Sequence, residues 1–275
     1  MSTVPAITLN NGRTMPQLGF GVYQVPDEEA RTAVGTALEA GYRSIDTASL
    51  YENERGTGQA VAASGIPREE IFLTTKLWNT DQGHDAALRA FDDSLARLGT
   101  DYVDLYLIHW PAPGRDLYVE TWRALERIHE EGRAKAIGVS NFHSAHLRRL
   151  FEETGVVPAL NQIELHPRLQ QAELRAFDAE HGIATEAWSP LGRNNGVLDD
   201  PAVLKAAEKH GRSPAQVVLR WHIELGNVVI PKSVTPSRIK ENLDVFGFTL
   251  DEADMAALAE LETGERVGPD PETLN

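Results

Sequence analysis

At 275 residues the chain is long for one ordinary core but a usual length for an α/β barrel, and its 41 Asp and Glu against 26 Lys and Arg give a net charge of −15. That balance excludes nonspecific nucleic-acid or anionic-membrane binding, both of which need a positive surface. The lack of cysteine removes disulfides, thiolate nucleophiles and zinc–thiolate sites.

The N-terminus, MSTVPAITLNNG, has no basic region followed by an apolar run, and no segment approaches a membrane span, so a soluble cytoplasmic protein is expected. Two short strands meet at the hairpin signal Asn11-Gly12, and QLGFGVY follows. From there strands and helices alternate. EEARTAVGTALEAG reads as helix, YRSID as strand, NERGTGQAVAASG as helix, EIFLTTK as strand and DAALRAFDDSLARLG as helix. Next come VDLYLIH and YVETWRALERIHEEG, AKAIGVSN and SAHLRRLFEETG, then ALNQIEL and AELRAFDAEHG. IATEAW leads to the pair PAVLKAAEKHG and SPAQVVLRWHIELG, and NVVIPK leads to PSRIKENLDVF. Many helices stop at Gly, the residue that suits a left-handed C-cap. Apolar strands separated by helices imply a parallel sheet covered on its outer side. Eight such units predict an α/β fold, a (β/α)8 TIM barrel formed by one domain over residues 1–275, with the short N-terminal β-hairpin closing its bottom. An open doubly wound sheet is the alternative.

In a barrel the functional face lies at the C-terminal ends of the strands. Those ends are Val22-Tyr23, Asp46, Lys76, His109, Ser140-Asn141, Gln162, Trp188 and Lys232. Each has an ordinary structural explanation, a helix cap or a solvated end, but together they converge on one mouth. Asp46, Tyr51, Lys76 and His109 suggest an acid of tuned strength. A phenol titrates near ~10, an ammonium beside it stabilises the phenolate, and a carboxylate keeps that ammonium charged. His109 can orient a substrate oxygen, so the set suits protonation of a developing alkoxide but lacks a reductant. Lys232, Ser233, Thr235 and Arg238 surround the start of the last helix of the pattern, where a phosphate is held by charge and free N–H groups. Trp188 before SPLG offers a flat stacking surface, and Asn141 and Gln162 are amides able to hold a carboxamide. Ring platform, amides and phosphate clamp describe a dinucleotide site. GFGVYQ is only a broken glycine fingerprint with no helix after it, and it is set aside.

The motifs GYRSIDTASLYENE, LTTKLW, DLYLIHWP, IGVSNF, NQIELHP, AWSPLG and IPKSVTPSRIKENLDVF stand in order along the chain. On them the sequence resembles the aldo-keto reductases, and within that family the bacterial 2,5-diketo-D-gluconate reductase branch. The resemblance implies NADPH (NADP+) as cofactor and hydride transfer to a carbonyl of small aldehydes, ketones or dicarbonyls. It also implies Tyr51 as general acid tuned by Lys76 and Asp46, with His109 holding the carbonyl oxygen. By the same resemblance Trp188 stacks the nicotinamide, and Ser140, Asn141 and Gln162 hold its carboxamide. Ser189, Leu191 and Gly192 follow the pyrophosphate. Lys232, Ser233 and Arg238 take the 2′-phosphate, with Val234 and Thr235 in the same segment, and Glu241 and Asn242 lie toward the adenine. Val22, Tyr23, Trp78, His109 and Trp110 are implied around the substrate. Two positions depart from relatives: Val22 replaces a common aromatic, which widens the pocket, and Thr235 replaces an Arg of some close relatives, which weakens the preference for NADPH over NADH. The short connection PAPGRDLY and the polar tail ETGERVGPDPETLN are where substrate choice is expected. The family implies a monomer with a small-molecule carbonyl substrate, no nucleic-acid or membrane partner and no metal. Two other functions compete. One is an NADPH-binding regulatory or redox-sensing subunit with little turnover. The other is a barrel hydrolase using His109, His166, Glu164 or Asp46, for which the chain shows no His-x-His or dense His/Asp cluster.

Overall fold

The structure, a computed structural model, describes residues 4–275. Ala6–Thr8 (β1) and Thr14–Pro16 (β2) pair antiparallel with Ile7 opposite Met15, and Gly12 at φ 81 turns the hairpin where Asn11-Gly12 predicts it. Eight parallel strands follow: Phe20–Gly21 (β3), Ser44–Asp46 (β4), Phe72–Leu77 (β5), Val103–Ile108 (β6), Ala134–Ser140 (β7), Leu160–Glu164 (β8), Ala184–Trp188 (β9) and Val228–Val229 (β10). Each pairs with the next in sequence. A parallel bridge between Leu18 and Val229 closes the ring, with Gly19 N–H donating to Val229 O at 2.8 Å and Val229 N–H to Gln17 O at 3.0 Å. Sequential order with closure is the predicted (β/α)8 barrel; a doubly wound sheet would reverse its strand order and leave edges.

The helices are Asp27–Ala40 (α1), Glu54–Ala63 (α2), His84–Leu98 (α3), Tyr118–Glu130 (α4), Ser144–Glu153 (α5), Ala172–Glu180 (α6), Pro201–His210 (α7), Pro214–Glu224 (α8), Pro236–Leu243 (α9) and Glu252–Ala259 (α10). The last stands outside the strand–helix alternation and was not among the predicted elements. Its capping box is Asp251 with Asp254, and Lys209 of α7 donates to Asp254 at 2.9 Å. Among the described residues no helix is long and apolar enough to cross a membrane.

The two-residue period of a strand sorts the barrel into an outside and an inside. In β6, Tyr106 and Ile108 join the large outer cluster with Phe91, Trp122 and Leu125 of the helices, whereas Leu105 and Leu107 join a smaller inner one. Leu9 and Met15 of the hairpin belong to that inner cluster, so the hairpin plugs the N-terminal end of the barrel with apolar side chains. The same alternation continues upward. Phe72 is inside, hence Thr74 and Lys76; Ile45 is outside, hence Asp46 is inside; Ala187 is outside, hence Glu186 and Trp188 are inside. The interior is apolar at the bottom and polar at the top.

Around the barrel, α2 meets α3 at backbone contact: a Cβ on Gly58 would stand 2.0 Å from Leu98 O. Gly58→Ala is therefore expected to lose about 1–3 kcal/mol through overpacking. In urea unfolding the midpoint should fall with the slope unchanged; an unaltered midpoint would mean the helices slide apart freely.

Candidate active site

Strand register delivers Asp46, Lys76 and His109 to the mouth, and a loop delivers Tyr51. Thr47 donates to Asn53 Oδ1 at 2.7 Å, while Asn53 Nδ2 donates to Val22 O at 2.9 Å and Val25 O at 2.8 Å. Glu54 is buried, accepting from Thr75 Oγ1 at 2.5 Å and from Arg97 Nε at 2.6 Å. The polar residues after Tyr51 thus act as nails that fix its loop against three elements. Sequence reasoning passed over Asn53 and Glu54, although two polar residues entering an apolar helix face were a signal.

Lys76 is fully buried. Its Nζ donates to Asp46 Oδ1 at 2.5 Å, to Thr47 O at 2.9 Å and to the Tyr51 hydroxyl at 3.5 Å. Burial opposes its charge, but Asp46 and Tyr51 together hold its pKa above the ordinary value. Tyr51 responds differently from the sequence expectation. Burial pushes the phenol up to about 12, outweighing the downward pull of Lys76, so Tyr51 keeps its proton throughout the neutral range. The Tyr51 hydroxyl lies 3.5 Å from His109 Nε2. Burial and then Lys76 push His109 well below its usual range, leaving a neutral imidazole whose Nδ1 has no partner. The arrangement offers one strong-held proton, one neutral orienting ring and one ammonium behind them.

Aromatic rings enclose this group. Tyr23 stands edge-on to Tyr51 at 5.0 Å between centroids, Trp78 to His109 at 5.2 Å, and Trp110 to Trp188 at 6.3 Å. Tyr23 is 42% exposed at the rim, but Val22 is fully buried in the outer core. The amides named from sequence are present and already engaged. Asn141, at φ 64, donates from Nδ2 to His109 O and Ser140 Oγ, both at 3.0 Å, and accepts from Trp188 Nε1 at 2.7 Å. Ser140 Oγ donates to Gln162 O at 2.8 Å. Gln162 Nε2 donates downward to Asp46 Oδ2 at 2.9 Å and Glu186 Oε2 at 2.7 Å, which leaves Oε1 as the free end of its side chain.

After Trp188, Ser189 takes φ 49; Leu191 is half-buried and Gly192 buried at φ 70. At the start of α9, Lys232, Val234, Thr235 and Arg238 are exposed and Ser233 is buried, its Oγ accepting from Thr235 N at 3.1 Å. Glu241 is half-buried and Asn242 buried. Among the described residues neither Lys232 nor Arg238 pairs with a carboxylate, and no side chain caps the first turn of α9. Unneutralised cations beside uncapped N–H groups, in a chain this acidic, fit a phosphate group. With the half-buried Trp188 ring, the residues present fit a dinucleotide.

The polar tail is docked, and by polar contacts. Val267 N–H and Gly268 N–H donate to the buried Glu164 carboxylate at 2.5 and 3.0 Å, and His166 lies 3.1 Å from the same group. Glu272 accepts from His143 at 2.7 Å, and Asn275 Oδ1 accepts from Gly114 N–H at 2.5 Å. Glu164 and His166 therefore serve the tail, and the hydrolase they suggested loses its carboxylate. The ligand-type atoms of His143, His146 and Glu272 lie within 4.8 Å of one another. However, His146 Nδ1 accepts from His143 N–H, placing its proton on the nitrogen that faces Glu272, and Arg266 stands 3.4 Å from His143. That trio ties the tail rather than forming a cation site.

A model of the aldo/keto reductase family matches residues 15–263. The chain is 52% identical to methylglyoxal reductase DkgA of Escherichia coli K12, with 99% of this chain and 98% of the relative covered. A crystal structure of an aldo/keto reductase from Brucella melitensis superposes with TM-score 0.92 at 61% identity, covering 94% of this chain and 100% of that one. A mutant of Gox0644 in complex with NADPH superposes with TM-score 0.96 at 51% identity over the whole of both chains.

Gly268 passes so close to the Trp188 ring that a Cβ there would stand 2.3 Å from its Cη2. Gly268→Ala should lift the tail, and a clash worth about 1–3 kcal/mol raises the open population roughly 5- to 150-fold. Limited trypsin digestion after Arg266, read by mass spectrometry, should release residues 267–275 correspondingly faster than in the wild type. Equal rates would show that the tail is not held at this contact.

Proposed function

The chain belongs to the aldo/keto reductase family, and on that premise we propose that it reduces small aldehydes, ketones and dicarbonyls with NADPH, using Tyr51 as the general acid. The observation that carries the reading is the buried Lys76 ammonium between Asp46 and the Tyr51 hydroxyl, beside a neutral His109. When bound, NADPH supplies the hydride, and the chain supplies position and proton. Tyr51 gives its proton to the carbonyl oxygen as negative charge grows there. His109 holds that oxygen by a hydrogen bond from Nε2 and, being neutral, does not compete as an acid. Lys76 stabilises the phenolate that Tyr51 becomes, and Asp46 keeps Lys76 charged while it does so. The rings of Tyr23, Trp78 and Trp110 narrow the mouth and exclude water, which strengthens each of these interactions.

Small α-dicarbonyls of the methylglyoxal type are the substrates we favour, because the mouth is walled by rings and an E. coli relative bears that activity in its name. Sugar-derived diketo acids, small aldehydes and keto-esters are the wider class. Trp188 is proposed as the nicotinamide platform with Gln162 Oε1 as carboxamide acceptor. Lys232, Ser233 and Arg238 are proposed for the 2′-phosphate.

Tyr51→Phe keeps the ring and removes the proton. It should cut kcat by about 10²–10⁴-fold while the NADPH Kd, read by quenching of Trp fluorescence, changes less than about twofold. Retained turnover would remove Tyr51 from its role. Arg238→Ala should weaken NADPH about tenfold, the worth of one charge-assisted contact, and leave NADH unaffected. The same titrations at rising salt should weaken wild-type NADPH binding more than NADH binding; parallel curves would place the 2′-phosphate elsewhere.

A further inference from the structure

Behind Asp46 stands a second carboxyl that the mechanism above does not use. Glu186 lies on β9 two residues before Trp188 and is completely buried. Its Oε2 accepts from the same Gln162 Nε2 that serves Asp46, and its Oε1 is buried without any partner. The interior at this level holds one cation, Lys76, and that cation is committed to Asp46 at 2.5 Å. Two ionised carboxylates sharing one amide and one ammonium would leave a net negative charge with an unsolvated oxygen, a costly arrangement that a proton relieves.

We propose that Glu186 is a positioning residue of this site: a proton-holding carboxyl that leaves the Asp46–Lys76 pair electrically balanced and, on losing its proton, weakens Tyr51 as an acid. The proposal rests on the reading of Tyr51 as proton donor. While Glu186 is neutral, the charges of Lys76 and Asp46 cancel, and the ammonium is available to a developing phenolate. Once Glu186 ionises, an added negative charge raises the proton affinity of both Lys76 and Tyr51, so reduction slows. Burial and then the Asp46 carboxylate push the Glu186 carboxyl up to about 8, and its loss of protons therefore falls in the mildly alkaline range. The displaced groups around it move to other ranges. Tyr51 lies at about 12, Lys76 above its ordinary value and His109 well below its own. On β8, Glu164 spends both oxygens on Val267, Gly268 and His166, and on β10 the register partner of Glu186 is the uncharged Val228.

The test compares kcat against pH, from about pH 6 to about pH 10, for the wild type and Glu186→Gln, with a small aldehyde and saturating NADPH. The wild type should fall roughly 3- to 10-fold through a mildly alkaline inflection, with the KM for NADPH unchanged. Glu186→Gln, which keeps the hydrogen bond from Gln162 but cannot ionise, should lack that inflection and hold the plateau rate. A variant that keeps the inflection, or that loses rate equally at every pH, overturns the proposal and leaves Glu186 a packing residue. Should Glu186→Gln not fold, wild-type protein labelled with ¹³C at the glutamate δ-carbon decides by NMR. One buried carboxyl titrating in the mildly alkaline range is expected, and glutamates that all titrate below about pH 6 overturn it. Failure of the wild type to reduce any carbonyl would sink the reductase reading instead, and the NMR titration would still report on Glu186.

Discussion

One buried ammonium organises the top of this barrel. Lys76 is the sole lysine among the largest fully buried side chains, and an isolated ammonium there would discharge or unfold its surroundings. Asp46 is therefore required, and removing it would leave an uncompensated buried charge costing about 3–5 kcal/mol. Asp46 has a second oxygen, which needs a donor and takes Gln162. Gln162 has a second hydrogen, which finds Glu186. Thr47 O takes another Lys76 proton and thereby sets the start of the loop that carries Tyr51. The placement of the Tyr51 phenol follows from satisfying one cation.

Most of this was legible because strands alternate. Once β4, β5, β6 and β9 were recognised as apolar runs ending in polar residues, the ends had to meet at one rim, and Asp46, Lys76, His109 and Trp188 do. Tyr51 was legible through its motif rather than its pattern, since its position depends on Asn53 and Glu54 bonding to residues far along the chain. The two polar residues at the start of an apolar helix face are the only local trace of such nails; their partners far along the chain leave none. Glu186 was missed for the opposite reason: a glutamate in a strand reads as an outward residue until the register shows Ala187 facing the helices. The helix α10 was missed because it stands after the repeating unit has ended.

Electrostatic sign also needed the structure. An ammonium beside a phenol argues for a lowered pKa, and Lys76 does act that way, but burial of the same phenol acts more strongly. The net result is a phenol that stays protonated through the neutral range, as the role proposed for it requires. That is the condition an acid in carbonyl reduction has to meet, because a phenol already ionised at neutral pH would have no proton to give.

The tail shows how the barrel separates stability from chemistry. At the bottom, Leu9 and Met15 seal the barrel with apolar contacts that need no partner of exact shape beyond close packing. At the top, the strap over Trp188 is held by polar contacts, to the buried Glu164 carboxylate and to the more exposed His143 and Gly114. An apolar seal at the mouth would bury the Trp188 ring in a second apolar core. A polar strap, held close by a residue with no side chain, covers the Trp188 ring, the face that the proposed function assigns to the nicotinamide.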